Sequence, residues 1–437
     1  MDLEVLVLFT HAVGNIYPSR REDSPFLVQV MPQPLSRAAT ATLQRRLESF
    51  PVVAVIGARQ TGKSTLVKAI GGPQARYVTM DAVQNLNLAH RSPGELLRQS
   101  PRMIIDEVQR APDLLLAIKQ EVDERRAPGR FLLTGSANLL LMHRISESLA
   151  GRAAYLTLWP LTRREKLGLG APGQWSLFFS RPWSDWPNAL PPNPLPGDDW
   201  RQLAIDGGFP DPGFHLRGNS AAQADWFDGY VQTYLERDLR DLTAVHDLGA
   251  FQRLMRAAAL RLGGLLNLSD LARDVGLPVS TAQRFLDLLV LSYQVVLLEP
   301  YSVNRTKRLV KRPKLYWSDA ALALHVAGDL QPGGAHLENL MLHDLLVWKE
   351  LQIGRPQILY WRTQKGAEVD FVVEWQNRVL PIEIKSSRTV GYADTQHLRT
   401  FLAEYPDVAT AALIVYDGDE VYWAADRVLA VPWGRVL

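Results

Sequence analysis

The chain contains no cysteine. That absence removes disulfide frameworks, thiolate zinc sites, iron–sulfur clusters and cysteine nucleophiles together. Its nine histidines are scattered and form no H-E-x-x-H pair, so a histidine-built metal site is not expected. No run approaches the roughly 18–20 uninterrupted apolar residues that span a bilayer; no membrane contact is expected, and the expected compartment is the cytoplasm. Nor does one sign of charge dominate. Lys and Arg number 48 against 46 Asp and Glu, a net charge of +2, so any nucleic-acid contact has to come from a local cluster. What remains is 437 residues, 47% hydrophobic and 22% charged, an ordinary globular composition with room for about two to four domains.

Residues 1–33 read as an N-terminal extension with no function of their own. From Leu35 to Phe50 the spacing of Leu43, Leu47 and Phe50 predicts a helix. The apolar runs Val52–Ile56, Arg76–Met80, Met103–Ile105, Phe131–Leu133 and Ala153–Leu158 then alternate with helix-length segments. That rhythm predicts an α/β doubly wound parallel sheet over residues 34–166. Residues 167–212 interleave Pro172, Pro182, Pro187, Pro191, Pro192, Pro194 and Pro196 with Trp175, Trp183, Trp186 and Trp200. Proline blocks helix, so the segment is irregular, and the tryptophans argue that it packs onto something. Helical character returns over 213–262, with further boundaries near 263 and 331.

The strand Val52–Ile56 runs into Gly57, Ala58, Arg59, Gln60, Thr61, Gly62, Lys63, Ser64 and Thr65, then a helix. This is G-x-x-x-x-G-K-S in the strand–loop–helix context the motif requires. Glycines let backbone amides cradle phosphate oxygens at a helix N-terminus, Lys63 reaches the β- and γ-phosphates of ATP, and Ser64 binds Mg²⁺. Met103–Ile105 ends in Asp106 and Glu107; the first is assigned to magnesium and the second to activation of the attacking water. Thr134, Ser136 and Asn138, at the exit of the next strand, are candidates for the γ-phosphate or the water. Arg152, just before Ala153–Leu158, is either a surface arginine or one that a neighbouring subunit presents to the transferring phosphoryl group.

The residues Gly57–Ser64, Ile105–Gln109, Leu133–Ser136, Ser148–Arg152 and Pro160–Thr162 resemble prokaryotic AAA+ ATPases with a C-terminal DUF4143 region. The resemblance implies homo-oligomers with ATP at subunit interfaces, a helical lid or connector over 213–262, and a trans-acting role for Arg152. For the family's second sensor arginine only Arg237 and Arg240 are candidates.

Two further modules are expected. Over 263–330, Asn267–Gly276 reads as a capped helix, Leu277-Pro278 as a turn, and Ser280 as the capping-box start of a second helix. Thr281, Gln283 and Arg284 are then candidate groove residues of a winged helix. The basic segment holding Arg305, Lys307, Arg308, Lys311, Arg312 and Lys314 would be its wing, flanked by Tyr301 and Tyr316 as stacking residues. The alternative is a hairpin docked on an acidic neighbour. Over 331–437, Asp370, Glu383 and Lys385 on adjacent strands resemble the PD-(D/E)xK core of restriction-endonuclease-type domains. That resemblance implies Mg²⁺ on Asp370, Glu383 and Glu338, Lys385 steadying charge, and Gln396 holding water or phosphate. The expected function is ATP-driven binding and remodelling of nucleic acid, with a cutting or merely binding C-terminal domain. The alternative is an ATP-gated switch that binds a protein partner.

Overall fold

Alternate residues of the strand Val52–Gly57 (β1) serve two different cores. Val52, Ala54 and Ile56 pack with Ile118 and Val122 of helix Leu114–Glu124. Val53 and Val55 pack with Leu43, Leu66 and Val67 of helices Ala39–Ser49 and Lys63–Gly71. A strand buried on both faces is what an unbroken apolar run encodes. The computed structural model describes residues 35–136, 149–233, 247–304 and 312–437. Arg76–Thr79 (β2), Met103–Asp106 (β3), Phe131–Ser136 (β4) and Ala153–Thr157 (β5) complete a five-stranded sheet in the order β2-β3-β4-β1-β5. Every pairing in it is parallel. The first helix begins at Ala39 rather than Leu35, because 35–37 extend to reach the phosphate loop.

The tryptophan-rich segment is packed, as its composition demanded. Trp175, Trp186 and Trp200 are buried, Trp175 Nε1 donates to Asp344 Oδ1 at 2.6 Å, and Phe179 stacks on Trp348. Helices Leu248–Ala259, Leu268–Asp274 and Val279–Leu291 follow, then an antiparallel ribbon of Val295–Leu298 (β6) and Lys314–Trp317 (β7). The expected capping box at Ser280 is absent: the helix starts one turn position earlier, after Pro278, without a side-chain cap. Proline at the N-cap position has no side-chain oxygen to accept from the first amides of the helix.

Helix Gly334–Leu351 leads into a second sheet. Its strands are Gln357–Arg362 (β8), Glu368–Trp375 (β9), Arg378–Lys385 (β10), Ala412–Tyr416 (β11), Tyr422–Ala425 (β12) and Val428–Pro432 (β13), ordered β12-β13-β11-β10-β9-β8. One face carries Phe371, Ile382 and Leu413 against Leu337, Met341 and Leu345 of helix Gly334–Leu351. The other carries Val372, Ile414 and Ala430 against Leu398 and Phe401 of helix Gln396–Glu404. The two sheets are tied together. Arg46 reaches the carbonyls of Tyr155 and Glu350 at 2.7 and 3.1 Å, and His343 Nε2 lies 3.1 Å from Pro160 O. Among the described residues no helix is long and apolar enough to cross a membrane.

Candidate phosphate site and acidic centre

The loop after β1 is shaped by two glycines. Gly57 has φ +142°, and a Cβ there would lie 2.4 Å from the carbonyl oxygen of Leu158. Gly62 sits at φ +89° immediately before helix Lys63–Gly71, a backbone region that costs L-residues energy. Lys63 is buried and donates to the carbonyls of Gly57 and Ala58 at 3.2 and 2.6 Å. The first amides of its helix have no carbonyl one turn back, which makes this end favourable to anions. Thr61 is buried and donates to Ala58 O at 3.1 Å, Gln60 and Thr65 are exposed, and Arg59 is half-buried.

The acids of β3 arrive beside this loop. Ser64 Oγ donates to Asp106 Oδ1 at 3.0 Å. Thr134 donates to the same carboxyl oxygen and Tyr77 to the other. Burial and the Asp106 carboxylate push the Tyr77 hydroxyl well above its ordinary value, so it remains a donor. Glu107 adopts φ +56°, a rare conformation for a residue with a side chain. Its amide donates to Thr134 Oγ1 at 3.3 Å and its carboxylate accepts from Gln109. A cation fits here: Ser64 and Asp106 offer hard oxygen ligands, and the surrounding donors are neutral hydroxyls. Ser136 ends β4; its side chain and Asn138, Arg237 and Arg240 lie outside the described residues.

Beneath the loop lies a brace that the motif did not announce. Arg37 donates to Thr61 O and Trp159 O at 2.7 Å each, and pairs with the buried Glu165 at 2.9 Å. Glu165 is also the third residue of a capping box closed by Thr162. The T-x-x-E spacing of Thr162 and Glu165 is a readable signal for the cap; nothing local marks Arg37 as its partner. Arg152 stands elsewhere. It precedes β5 at the N-terminal edge of the sheet, whereas the phosphate loop leaves the C-terminal end of β1. Its guanidinium grips Asp123 through Nε and Nη2, the latter at 2.9 Å.

On the second sheet the structure brings Asp370, Glu383, Lys385 and Glu338 together and adds Lys314. Ile384 N donates to Asp370 Oδ2 at 2.9 Å, and Lys385 Nζ to Glu383 Oε1 at 2.9 Å. Tyr316 donates to Glu338 Oε2 at 3.0 Å. Lys314 Nζ pairs with Asp370 Oδ1 at 3.3 Å and with Glu368. Burial and then the neighbouring Asp370 charge hold the Glu338 and Glu383 carboxyls well above the carboxylate range. Burial opposes the charge of Lys314, but Asp370, Glu338 and Glu368 outweigh it and keep the ammonium protonated.

Several expectations are therefore corrected. Lys314 is 2% exposed and meets carboxylates; it does not lie on a solvated wing. It opens the apolar strand Leu315–Trp317 after Pro313, a context that places it inward. Tyr316 and Tyr301 are buried and cannot stack on a base. The three acids Glu338, Asp370 and Glu383 do not form a metal cage: among the described residues no group of three or more His, Asp or Glu is disposed to hold a metal ion. Asp370 already carries the Lys314 ammonium, which meets its charge from within the chain, so the residues present do not fit the implied Mg²⁺. Thr281 is half-buried, while Gln283, Arg284, Arg312 and Gln396 are exposed. Arg305, Lys307, Arg308 and Lys311 lie outside the described residues.

With this geometry in hand, the comparisons divide the chain. A model described as an AAA domain matches residues 49–167, and models for domains of unknown function match 197–332 (DUF8612) and 333–436 (DUF4143). The chain is 33% identical over 412 residues to the uncharacterized protein Rv2008c of Mycobacterium tuberculosis, covering 92% of this chain and 84% of that protein. It belongs to the Rv2008c family. The uncharacterized protein Mb2031c of Mycobacterium bovis is 33% identical with the same coverage. Among solved structures, this member of the Rv2008c family is similar to the Walker-type ATPase PABY2304 of Pyrococcus abyssi, with TM-score 0.41 and 16% identity over 67% of this chain and 98% of that one. A Thermotoga maritima RuvB variant gives TM-score 0.28 and 17% identity, over 62% and 93% of the respective chains. The family member thus carries an AAA-type P-loop ATPase core ahead of a DUF4143 region.

Proposed function

We propose that the chain is a magnesium-dependent ATPase whose turnover drives work on nucleic acid, acting as a homo-oligomer. One observation carries the ATPase reading: the hydrogen bond of Ser64 to Asp106 at the mouth of a loop built around Gly57, Gly62 and Lys63. Ser64 and Asp106 would hold Mg²⁺, and the bound ion supplies charge neutralisation on the phosphates. Lys63 lies at the helix start where phosphate oxygens are bound, and its ammonium adds a point charge for them. Thr134 and Tyr77 fix the Asp106 carboxylate without cancelling its charge. Glu107, held by Gln109 on one side and by Thr134 through its amide, is the base that orients the attacking water. The exposed Gln283, Arg284 and Arg312 support a nucleic-acid surface. The pairing of Lys314 with Asp370 favours a C-terminal region that binds over one that cuts.

The test is ATP turnover across a panel of nucleic-acid structures. Lys63→Ala is expected to weaken ATP binding roughly ten- to hundredfold, the worth of a charged hydrogen bond. Glu107→Gln is expected to bind ATP normally and turn over roughly 10²–10⁴-fold more slowly. Normal turnover in Glu107→Gln removes Glu107 from the chemistry. Turnover indifferent to every nucleic acid favours the protein-partner switch instead.

A further inference from the structure

We infer that Lys314 is the resident cation of the C-terminal acidic centre, standing beside Asp370 where a nuclease-like site would take a divalent ion. This goes beyond the ATPase reading and is independent of it, since the two sites share no residue.

The inference begins with topology. Lys314 is the first residue of β7, on the ribbon, whereas Glu368 and Asp370 lie on β9 of the second sheet. Residues two apart on a strand project to one face, so Glu368 and Asp370 form a pair of carboxylates, and the Lys314 ammonium reaches both. A lysine 2% exposed would be costly alone; it is tolerated because paired charges and hydrogen bonds replace its lost water. Glu368 is further shared with Arg362 at 2.9 Å.

The rest of the centre is organised around that internal ion. The second oxygen of Asp370 is taken by Ile384 N, and one oxygen of Glu383 by Lys385. Glu338 is turned to Tyr316, which lies two residues from Lys314 on the same strand. The same side chain that supplies the cation therefore sits on the element that supplies the Glu338 donor. One oxygen of Glu383, Oε2, is buried and without a hydrogen-bond partner. It is a buried ligand position left over in a centre where Asp370 is engaged at both oxygens. A divalent ion needs several hard oxygens at once, each close to 2–2.6 Å. Asp370 can serve it only if the Lys314 ammonium leaves. The ion pair also links the ribbon to the second sheet.

The decisive measurement is Mn²⁺ binding followed by electron paramagnetic resonance on the full chain without nucleotide. Four proteins are compared: the native chain, Asp370→Asn, Lys314→Met, and the two substitutions combined. Methionine keeps the apolar stem of the lysine and removes the charge. The native chain and Asp370→Asn are expected to bind the same number of Mn²⁺ ions. Lys314→Met is expected to gain one site per chain, and the double variant to lose it. Asp370-dependent Mn²⁺ binding by the native chain overturns the proposal, as does a folded Lys314→Met that gains no site. Should Lys314→Met fail to fold, the native chain against Asp370→Asn still decides: equal binding supports the proposal and a deficit in Asp370→Asn sinks it.

Discussion

Asp106 and Asp370 are both buried strand carboxylates with lysines nearby, yet they are kept in opposite ways. Asp106 accepts from Ser64, Thr134 and Tyr77, three hydroxyls. Asp370 accepts from a backbone amide and an ammonium, that of Lys314. Hydroxyl donors hold a carboxylate in place and leave its negative charge for a cation from outside. An ammonium at 3.3 Å supplies that cation from within. Composition is therefore a poor guide to a metal site: Asp, Glu and Lys occur in both places, and the neighbours that neutralise them decide whether the centre is open or already satisfied.

The comparison is sharpened most strongly at Arg152. If the first site draws charge from outside the chain, a neighbour's arginine belongs to the same account as Mg²⁺. In its own chain Arg152 rests on Asp123 at the far edge of the sheet, so it serves its own phosphate loop only if that edge moves. Arg152→Ala is expected to retain ATP binding through Lys63 and Ser64 and to lose roughly 10³-fold in hydrolysis, the scale of an arginine that completes a neighbour's site. Mixing it with Glu107→Gln restores some interfaces with an intact Glu107 and an intact Arg152, so partial recovery of turnover is expected. No recovery, with turnover independent of protein concentration, would assign the arginine to Asp123 alone.

How much of this was legible follows from what each feature needs. The first sheet was readable because each strand is an apolar run buried on two faces, and the phosphate loop because its glycines and Lys63 are contiguous. Asp106 and Glu107 followed from the end of such a run. Arg37 was not legible: its partners Thr61, Trp159 and Glu165 lie 24 to 128 residues away, and nothing local marks an arginine as buried. Lys314 was misread for a related reason. Counted with Lys307, Arg308, Lys311 and Arg312 it is one more positive charge, but Pro313 separates it from them and Leu315–Trp317 carries it inward. The strands holding Asp370 and Glu383 were legible; the cation on Asp370 comes from a residue 56 positions earlier.

A second test asks whether the open site depends on an internal ion pair of its own, one layer below. Arg37 and Glu165 have side chains 7% and 1% exposed. Removing one partner of a buried pair leaves the other uncompensated, at a cost of about 3–5 kcal/mol. Arg37→Ala is expected to lose at least about 3 kcal/mol in urea unfolding and to weaken ATP binding, because Thr61 O loses its donor. Arg37→Met combined with Glu165→Gln should recover part of the stability. A loss under about 1 kcal/mol for Arg37→Ala would put the pair on the scale of an exposed salt bridge, and the brace would not be structural.

The smallest effect belongs to a third buried carboxylate that has neither hydroxyls nor an ammonium. Asp344 Oδ1 accepts from Gly173 N and Trp175 Nε1 at 2.7 and 2.6 Å, while Oδ2 has no partner. Burial pushes its pKa up to about 7; the two N–H donors and Arg164 pull downward, and Glu165 adds to the rise. Lys166 and His343 line the same small enclosed cavity, with Asp319 and Arg163. Burial lowers both of these bases, Lys166 to about 8, and the Lys166 ammonium is directed to Gly207 O at 2.8 Å rather than to Asp344. In the unfolded chain the carboxyl releases its proton near the ordinary aspartate value of 3.8, and in the folded chain only near 7. The folded state therefore binds more protons across that interval, and stability contributed by Asp344 is full below it and lost as pH rises through 7. Asp344→Asn keeps an oxygen for Gly173 and Trp175 and cannot ionise. Its melting temperature relative to the native chain is expected to be higher at pH 8 than at pH 5. A difference that is flat, or that runs the other way, would mean that Asp344 is ionised in the fold at neutral pH and draws on a cation after all, as Asp370 does.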